Sequence, residues 1–168
     1  MPSKDRFLPS LLDRLTDDDP GMKRPETDRF ILDLERYRFA VVRDIDWLLN
    51  TTTSARPEEI EGLELTSGSV LNYGMPPLSG GTVLSIDPRA LEQRIRDVIV
   101  RFEPRIVPTS VRIEVHLTGT VMSHRSLSFQ LEGMLWAVPL PEQIYVRTEV
   151  DLETGHVAVA DFGYREKG

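Results

Sequence analysis

Glu149 and Asp151 are the first residues whose types and spacing suggest chemistry. Two positions apart on a strand, they would share one face about 7 Å from each other at ~3.4 Å per residue, a separation that an inverting glycosidase tolerates. An exposed strand face is also where acids ordinarily sit, and no cluster of sugar-stacking aromatics surrounds the pair in sequence. His116, His124 and His156 have no partner at metal-ligand spacing such as i, i+4 on a helix. Ser79-Gly80-Gly81-Thr82 lacks the lysine and the glycine spacing of a phosphate loop, and there is no Gly-x-Ser-x-Gly elbow. No catalytic residue, metal site or cofactor is expected. The chain has no cysteine, so disulfides, thiolate ligands and thiol nucleophiles drop out together. Arg94, Arg96, Arg101 and Arg105 are interleaved with Glu92, Asp97 and Glu103, which reads as a salt-bridged helix face. With a net charge of −7 this argues against a nucleic-acid partner.

A different kind of site stands at Phe102-Glu103-Pro104-Arg105, where a helix end, a proline and two opposite charges follow one another. Proline restricts the backbone on both sides, so the corner is stiff and a partner docking there loses little entropy. The plain alternative is a helix stop with a local ion pair, worth only ~0.2–1 kcal/mol when exposed. Arg105 lies at a helix exit and outside any apolar stripe, so reversing its charge is expected to leave the chain folded.

The elements that must position these residues can be read from periodicity. Leu8, Leu11, Leu12 and Leu15 recur at steps of three and four behind Pro9 or Ser10, a short amphipathic helix that docks on its own domain or fills a partner's groove. Asp17-Asp18-Asp19-Pro20-Gly21 and the run to Thr27 resist regular structure. Residues 1–27 are therefore a segment of short helix and acidic linker, and residues 28–168 a single domain. From Asp28, the residues Phe30, Leu34, Tyr37, Val41, Ile45 and Leu48 draw one apolar stripe along a long helix, which Thr51 to Ser54 and Pro57 end. Trp47 is expected in the core, with its N–H satisfied. A loop-rich stretch covers 51–82; within it, residues 69–73 should form a short helical turn against the long helix, with Gly74 at positive φ.

Asp87-Pro88 caps a second helix over 88–102, with Ile86 and Leu91 placed as a hydrophobic staple and Leu91, Ile95, Val98, Ile99 and Phe102 as its buried face. Beyond it the period changes to two. Val111, Ile113, Val115 and Leu117 alternate with polar residues; Leu127, Phe129, Leu131 and Leu135 follow; then come Val146, Thr148, Val150 and Leu152. Asp151 to Gly155 reads as a hairpin turn into a fourth strand at Val157 and Val159. The expected fold is α+β, with N-terminal helices packed on one face of a C-terminal antiparallel β-meander. The mixture of 40% hydrophobic and 28% charged residues is that of a globular domain, not a disordered chain. No stretch approaches the ~18–20 apolar residues of a membrane span, and the start has no apolar signal region. A soluble, cytoplasmic protein without membrane insertion is the expectation.

Several segments, in order, resemble one family. They are Pro9 to Leu15, Arg43-Asp44-Ile45-Asp46-Trp47-Leu48-Leu49-Asn50-Thr51, Ser69-Val70-Leu71-Asn72-Tyr73-Gly74 with Pro76 and Leu78 to Gly80, Phe102 to Arg105, and Arg147 to Gly155. Together they resemble the type VI secretion baseplate protein TssE, similar to the gene 25 product of contractile-tail phage baseplates. The resemblance implies a structural protein of the baseplate, on which a contractile sheath assembles, and not an enzyme. It implies partners among the wedge proteins TssF, TssG and TssK and the sheath subunits, and makes Glu103, Pro104 and Arg105 an assembly contact. It further implies strand addition at a sheet edge as the way the first sheath layer is templated. Phage relatives have carried a lysozyme label, so a peptidoglycan hydrolase using a carboxylate pair is the alternative.

Overall fold

The computed structural model describes residues 7, 9–16, 21, 32–54, 59–76, 87–118, 126–137, 140–151 and 153–163. Its helices are α1 (Leu11–Leu15), α2 (Leu34–Asn50), α3 (Glu64–Ser67) and α4 (Pro88–Phe102), with 3-10 turns at Val70–Asn72 and Pro108–Ser110. Its strands are β1 (Arg112–Thr118), β2 (Ser126–Leu135), β3 (Glu142–Asp151) and β4 (Val157–Gly163). They pair antiparallel in sequence order, β1-β2-β3-β4, so the expected α+β meander is the observed fold.

Local chemistry explains where the helices begin. The Asp33 carboxylate accepts the Arg36 N–H at 2.8 Å and caps α2, so the helix opens at Leu34; residues 28–31, including Phe30, lie outside the described residues. Asp87 caps α4 by accepting the Arg89 N–H at 3.0 Å, with Pro88 in the first turn; the staple residue Ile86 lies outside the described residues. Ser10 caps α1 in a capping box with Asp13.

The α2 stripe is buried at Tyr37, Val41, Ile45 and Leu48, while Leu91, Ile95 and Ile99 form the buried row of α4 and Val98 and Phe102 are partly covered. Both helices lie against the sheet face that carries Leu127, Phe129, Leu131, Val146, Thr148, Val150 and Val157. The opposite face presents Arg112, Glu114 and His116 of β1 and Arg147, Glu149 and Asp151 of β3 to solvent. Gly133 fills the core-facing position between Leu131 and Leu135, because a Cβ there would stand 2.9 Å from the Ile106 methyl carbon.

Several expectations are revised. Trp47 is not a core residue; it is 47% exposed, because it stands one residue, or 100°, away from the Tyr37-to-Leu48 stripe. Leu11, Leu12 and Leu15 of α1 are exposed and do not dock on their own domain; Leu8 lies outside the described residues. The third strand starts at Glu142, not Val146, with Ile144 continuing the buried alternation; Leu152 lies outside the described residues. The turn at Val70–Asn72 and the positive φ of Gly74 (122°) match expectation, but Asn72 is the buried member and Val70 and Leu71 face outward. The linker residues 17–20 and 22–27, the Ser79 to Thr82 loop and His124 lie outside the described residues.

Candidate functional site

The Glu103-Pro104-Arg105 segment forms a closed turn. The Ile106 N–H donates to the Glu103 carbonyl at 3.2 Å, giving a β-turn with proline in its second position, where a fixed φ suits it. The turn is then stitched to the end of β2. Ile106 bridges to Leu135, the Val107 N–H donates to the Met134 carbonyl at 2.8 Å, and the Trp136 N–H donates to the Arg105 carbonyl at 2.7 Å. The Tyr37 hydroxyl donates to the Trp136 carbonyl at 3.3 Å, so the long helix holds the same corner.

The two charges of the turn point inward. Glu103 is only 3% exposed, and both of its carboxylate oxygens are taken by the Arg105 guanidinium, Oε1 by Nε at 2.7 Å and Oε2 by Nη2. Such a two-point pair is stronger and more directional than a single contact. Arg105 also donates to Asp44 Oδ2 on α2 at 2.7 Å. The other Asp44 oxygen accepts from Arg43 Nε at 2.9 Å and Nη2 at 2.7 Å, and Arg43 reaches on to the Asp13 carboxylate of α1. Asp13 in turn accepts the Ser10 hydroxyl at 2.7 Å. A chain of alternating charges thus runs from the end of α4 across α2 to α1, and the Arg43 guanidinium covers the exposed Trp47 ring at 4.9 Å.

This chain sets the local electrostatics. Burial alone would pull the Arg105 pKa down, but its hydrogen bonds and charge contacts with Glu103, then Asp44, hold it above its ordinary value. The Asp13 hydrogen bond, opposed by burial and joined by Asp44, raises Arg43 in the same way. For Asp13, burial pushes upward but is outweighed by Arg43 and Ser10, leaving its carboxyl below the ordinary 3.8. Burial pushes the Tyr37 and Tyr73 phenols up.

What remains at the surface is Pro104 and, beside it, Trp136, 66% exposed although its backbone is fixed at both ends. Trp136 was not singled out by sequence reasoning, nor were the links through Asp44, Arg43 and Asp13. Spacing could not have found them, since Arg105 and Asp44 stand 61 positions apart and Arg43 and Asp13 stand 30 apart.

The sequence profile described as Baseplate wedge protein gp25 matches residues 35–140, more than half of the chain. This chain belongs to the baseplate wedge protein gp25 family. The match contains Asp44, the Val70–Asn72 turn, the whole Glu103–Arg105 corner and Trp136; α1, β3 and β4 lie outside it. No curated protein and no solved structure matches the chain significantly. As a gp25 family member it is a structural component of the baseplate wedge of a contractile injection machine.

In this gp25 family chain Glu149 and Asp151 are exposed on β3, opposite Ser128 and Ser126 of β2. Asp151 Oδ1 accepts the Glu153 N–H at 2.8 Å and the Thr154 N–H at 3.3 Å, organising the hairpin and lowering its own pKa. A general acid needs the opposite shift. His116 and His156 are exposed on separate strands or turns. Of the expected salt-bridged set, Arg105 pairs with Glu103, whereas Arg101 donates to the Ser67 carbonyl at 3.0 Å, Arg96 donates to the Pro108 carbonyl at 3.4 Å, and Glu92 turns to the Val115 N–H. The free carbonyl at the end of α3 and the one in the Pro108–Ser110 turn take these donors in place of weak i, i+4 pairs. Among the described residues, no helix is long and apolar enough to cross a membrane.

Proposed function

We propose that this chain is the TssE-type wedge component of a type VI secretion baseplate, working in the cytoplasm at the membrane-docked baseplate. Residues 28–168 are its wedge domain and residues 1–27 an appended segment. It docks to the wedge proteins TssF, TssG and TssK through the Glu103-Pro104-Arg105 corner and offers a sheet edge to the first sheath subunits. Glu103 and Arg105 stiffen the corner from inside; Pro104 and the neighbouring Trp136 indole make the contact. The observation that carries this reading is that division of labour: the charges are satisfied within the chain, so the rigid apolar corner is what faces outward. Exposed aromatics on rigid backbone are the usual anchors of protein interfaces. No cofactor and no nucleic acid take part.

The test is affinity capture from the native host with a tagged chain, followed by mass spectrometry. Wild type is expected to retain wedge and sheath proteins, and Trp136→Ala and Pro104→Ala to retain fewer while melting like the wild type. If both variants retain the same set as wild type, the corner is not the docking site. If wild type retains neither class and digests cell-wall sugar in a zymogram, with the activity lost in Glu149→Gln, the hydrolase reading replaces this one.

A further inference from the structure

The short helix α1 lies on the domain with its apolar side outward. At about 100° per residue, Leu11 and Leu15 each stand about 160° from Asp13, and Asp13 is the residue that faces α2 through its ion pair with Arg43. Leu11 is 70% exposed and Leu15 74%. A helix placed by the hydrophobic effect alone would turn the other way. What holds the leucines outward is a set of ties on the polar side of α1 and just before it. The Phe7 N–H donates to the Leu32 carbonyl at 3.2 Å, the Leu32 N–H donates to the Phe7 carbonyl at 2.8 Å, and the buried Phe7 ring stacks on Tyr37 with 4.6 Å between centroids. Pro9 is buried as well, and Ser10 and Asp13 close the capping box that starts the helix.

The leucine side is therefore set in place before anything covers it, which lowers the entropy lost on docking. Arg43, on which Asp13 rests, stands between Phe39 and Trp47 on the outer row of α2, and both rings are exposed. At roughly 120 Å² for a leucine and ~250 Å² for an aromatic side chain, the exposed fractions of Leu11, Leu12, Leu15, Phe39 and Trp47 offer at most about 500 Å². Two such surfaces face to face fall short of the ~800 Å² that each partner of a stable complex buries, so a second copy of the chain does not match it. A protruding helix is covered on both flanks only by a groove that wraps it, as in helix-in-groove recognition. The Arg14 guanidinium, exposed beside the leucine pair, has no ion pair among the described residues, so an acid on the groove wall answers it. Asp17, Asp18 and Asp19 follow within four residues of α1 and the chain carries a net −7, which turns this surface away from anionic lipid.

We propose that α1 is a preset docking ridge: Leu11 and Leu15, with Leu12 and the Trp47 ring beside them, seat in an apolar groove of a neighbouring wedge protein that carries an acid opposite Arg14. The proposal rests on the wedge reading above and adds a second contact, apart from the Pro104 and Trp136 corner, with its own partner chemistry. Inside the chain the two contacts are joined by the row of charges from Asp13 through Arg43 and Asp44 to Arg105, which fixes α1 relative to the corner. Arg43 is the positioning residue: it holds Asp13 and so turns the leucines outward.

The test uses the full chain and the purified complex of TssF and TssG from the same host, with binding followed by biolayer interferometry. Leu11→Gln combined with Leu15→Gln is expected to bind at least about tenfold more weakly than wild type while melting at the same temperature, because glutamine matches leucine in helix propensity and neither leucine is buried in the chain. Arg14→Glu is expected to weaken binding as well, and Arg14→Lys to weaken it less. A benzophenone side chain placed at position 15 is expected to cross-link to an apolar segment of the complex. Equal affinity of wild type and the double leucine variant overturns the proposal, as does cross-linking to the chain's own domain. Dimers that the double variant abolishes make a second copy the occupant, and co-sedimentation with vesicles of phosphatidylethanolamine and phosphatidylglycerol that it abolishes makes a membrane the occupant; either overturns the proposal. If Trp136→Ala loses binding while the leucine variant keeps it, the ridge alone fails. If wild type does not bind the complex at all, the wedge reading fails and the ridge with it.

Discussion

Replacing Arg105 by Ala removes the cation held between Glu103 and Asp44. Glu103 is 3% exposed, so its carboxylate is left buried without a partner cation. Breaking a buried pair in this way costs about 3–5 kcal/mol. The Asp44 side chain is 22% exposed and keeps Arg43, so its share is nearer ~0–1 kcal/mol. The expected loss is therefore about 3–6 kcal/mol, a large part of the ~5–15 kcal/mol typical of a domain. Urea unfolding followed by circular dichroism measures it as a lower midpoint at unchanged slope. Glu103→Ala combined with Arg105→Ala should recover much of the loss, since no lone charge is then buried, with a coupling of at least ~2 kcal/mol. A loss below ~1 kcal/mol for Arg105→Ala, or two strictly additive effects, would refute the view of Glu103 as a buried charge that depends on Arg105. Arg105→Glu brings three carboxylates together and is expected to unfold the chain, contrary to what its helix-exit position alone suggests. It is therefore a poor probe of docking, and Trp136→Ala the better one.

Ile95→Ala should cost about 2–5 kcal/mol, because Ile95 is fully buried, while Val98→Ala at the partly covered edge of the same row should cost distinctly less; thermal melts of both compare them. Gly74→Ala should lower the melting point by more than a surface change does, since a Cβ at φ 122° would fall on the Thr51 carbonyl; an unchanged melt would mean that this turn is not required. Asp13 titrates below its ordinary 3.8, so the tie between α1 and α2 contributes above that pH and is lost as pH falls through the lowered folded value; the protection of the residue 11–15 amides, relative to their intrinsic exchange rate at each pH, should fall there and stay constant between pH 5 and 8, a window in which the side chain keeps its charge. Tyr37 has the opposite sign: its raised folded pKa favours the protonated form, so stability is full below the ordinary 10.0 and falls as pH rises toward the folded value, and Tyr37→Phe should flatten that alkaline decline.

The sequence alone determined the order of the main helices and strands and the buried rows of the two long helices and the sheet. Tyr37, Val41, Ile45 and Leu48 at helical spacing, the alternation from Val111 onward, and the caps at Ser10 and Asp87 are local patterns, and each folded as its spacing required, whereas the long helix opens after Asp33 and not at Asp28. Gly74 was legible for the same reason, as a backbone requirement written at a single residue. The corner at Glu103-Pro104-Arg105 was legible as a stiff stop, but the fate of its charges was not. Whether Arg105 reached out to a partner or inward to Glu103 and Asp44 depended on where α2 came to lie against the end of α4, and nothing within a few residues encodes that. The same holds for Trp47, whose 100° offset from the stripe placed it under Arg43, for Trp136, fixed by bonds to Arg105 and Tyr37, and for Glu92 and Asn50 at the two sheet edges. Periodicity records which face of an element is buried. Only the assembled tertiary structure decides which polar groups from distant parts of the chain meet, because their pairing is a property of how those faces pack and not of the spacing along any one of them.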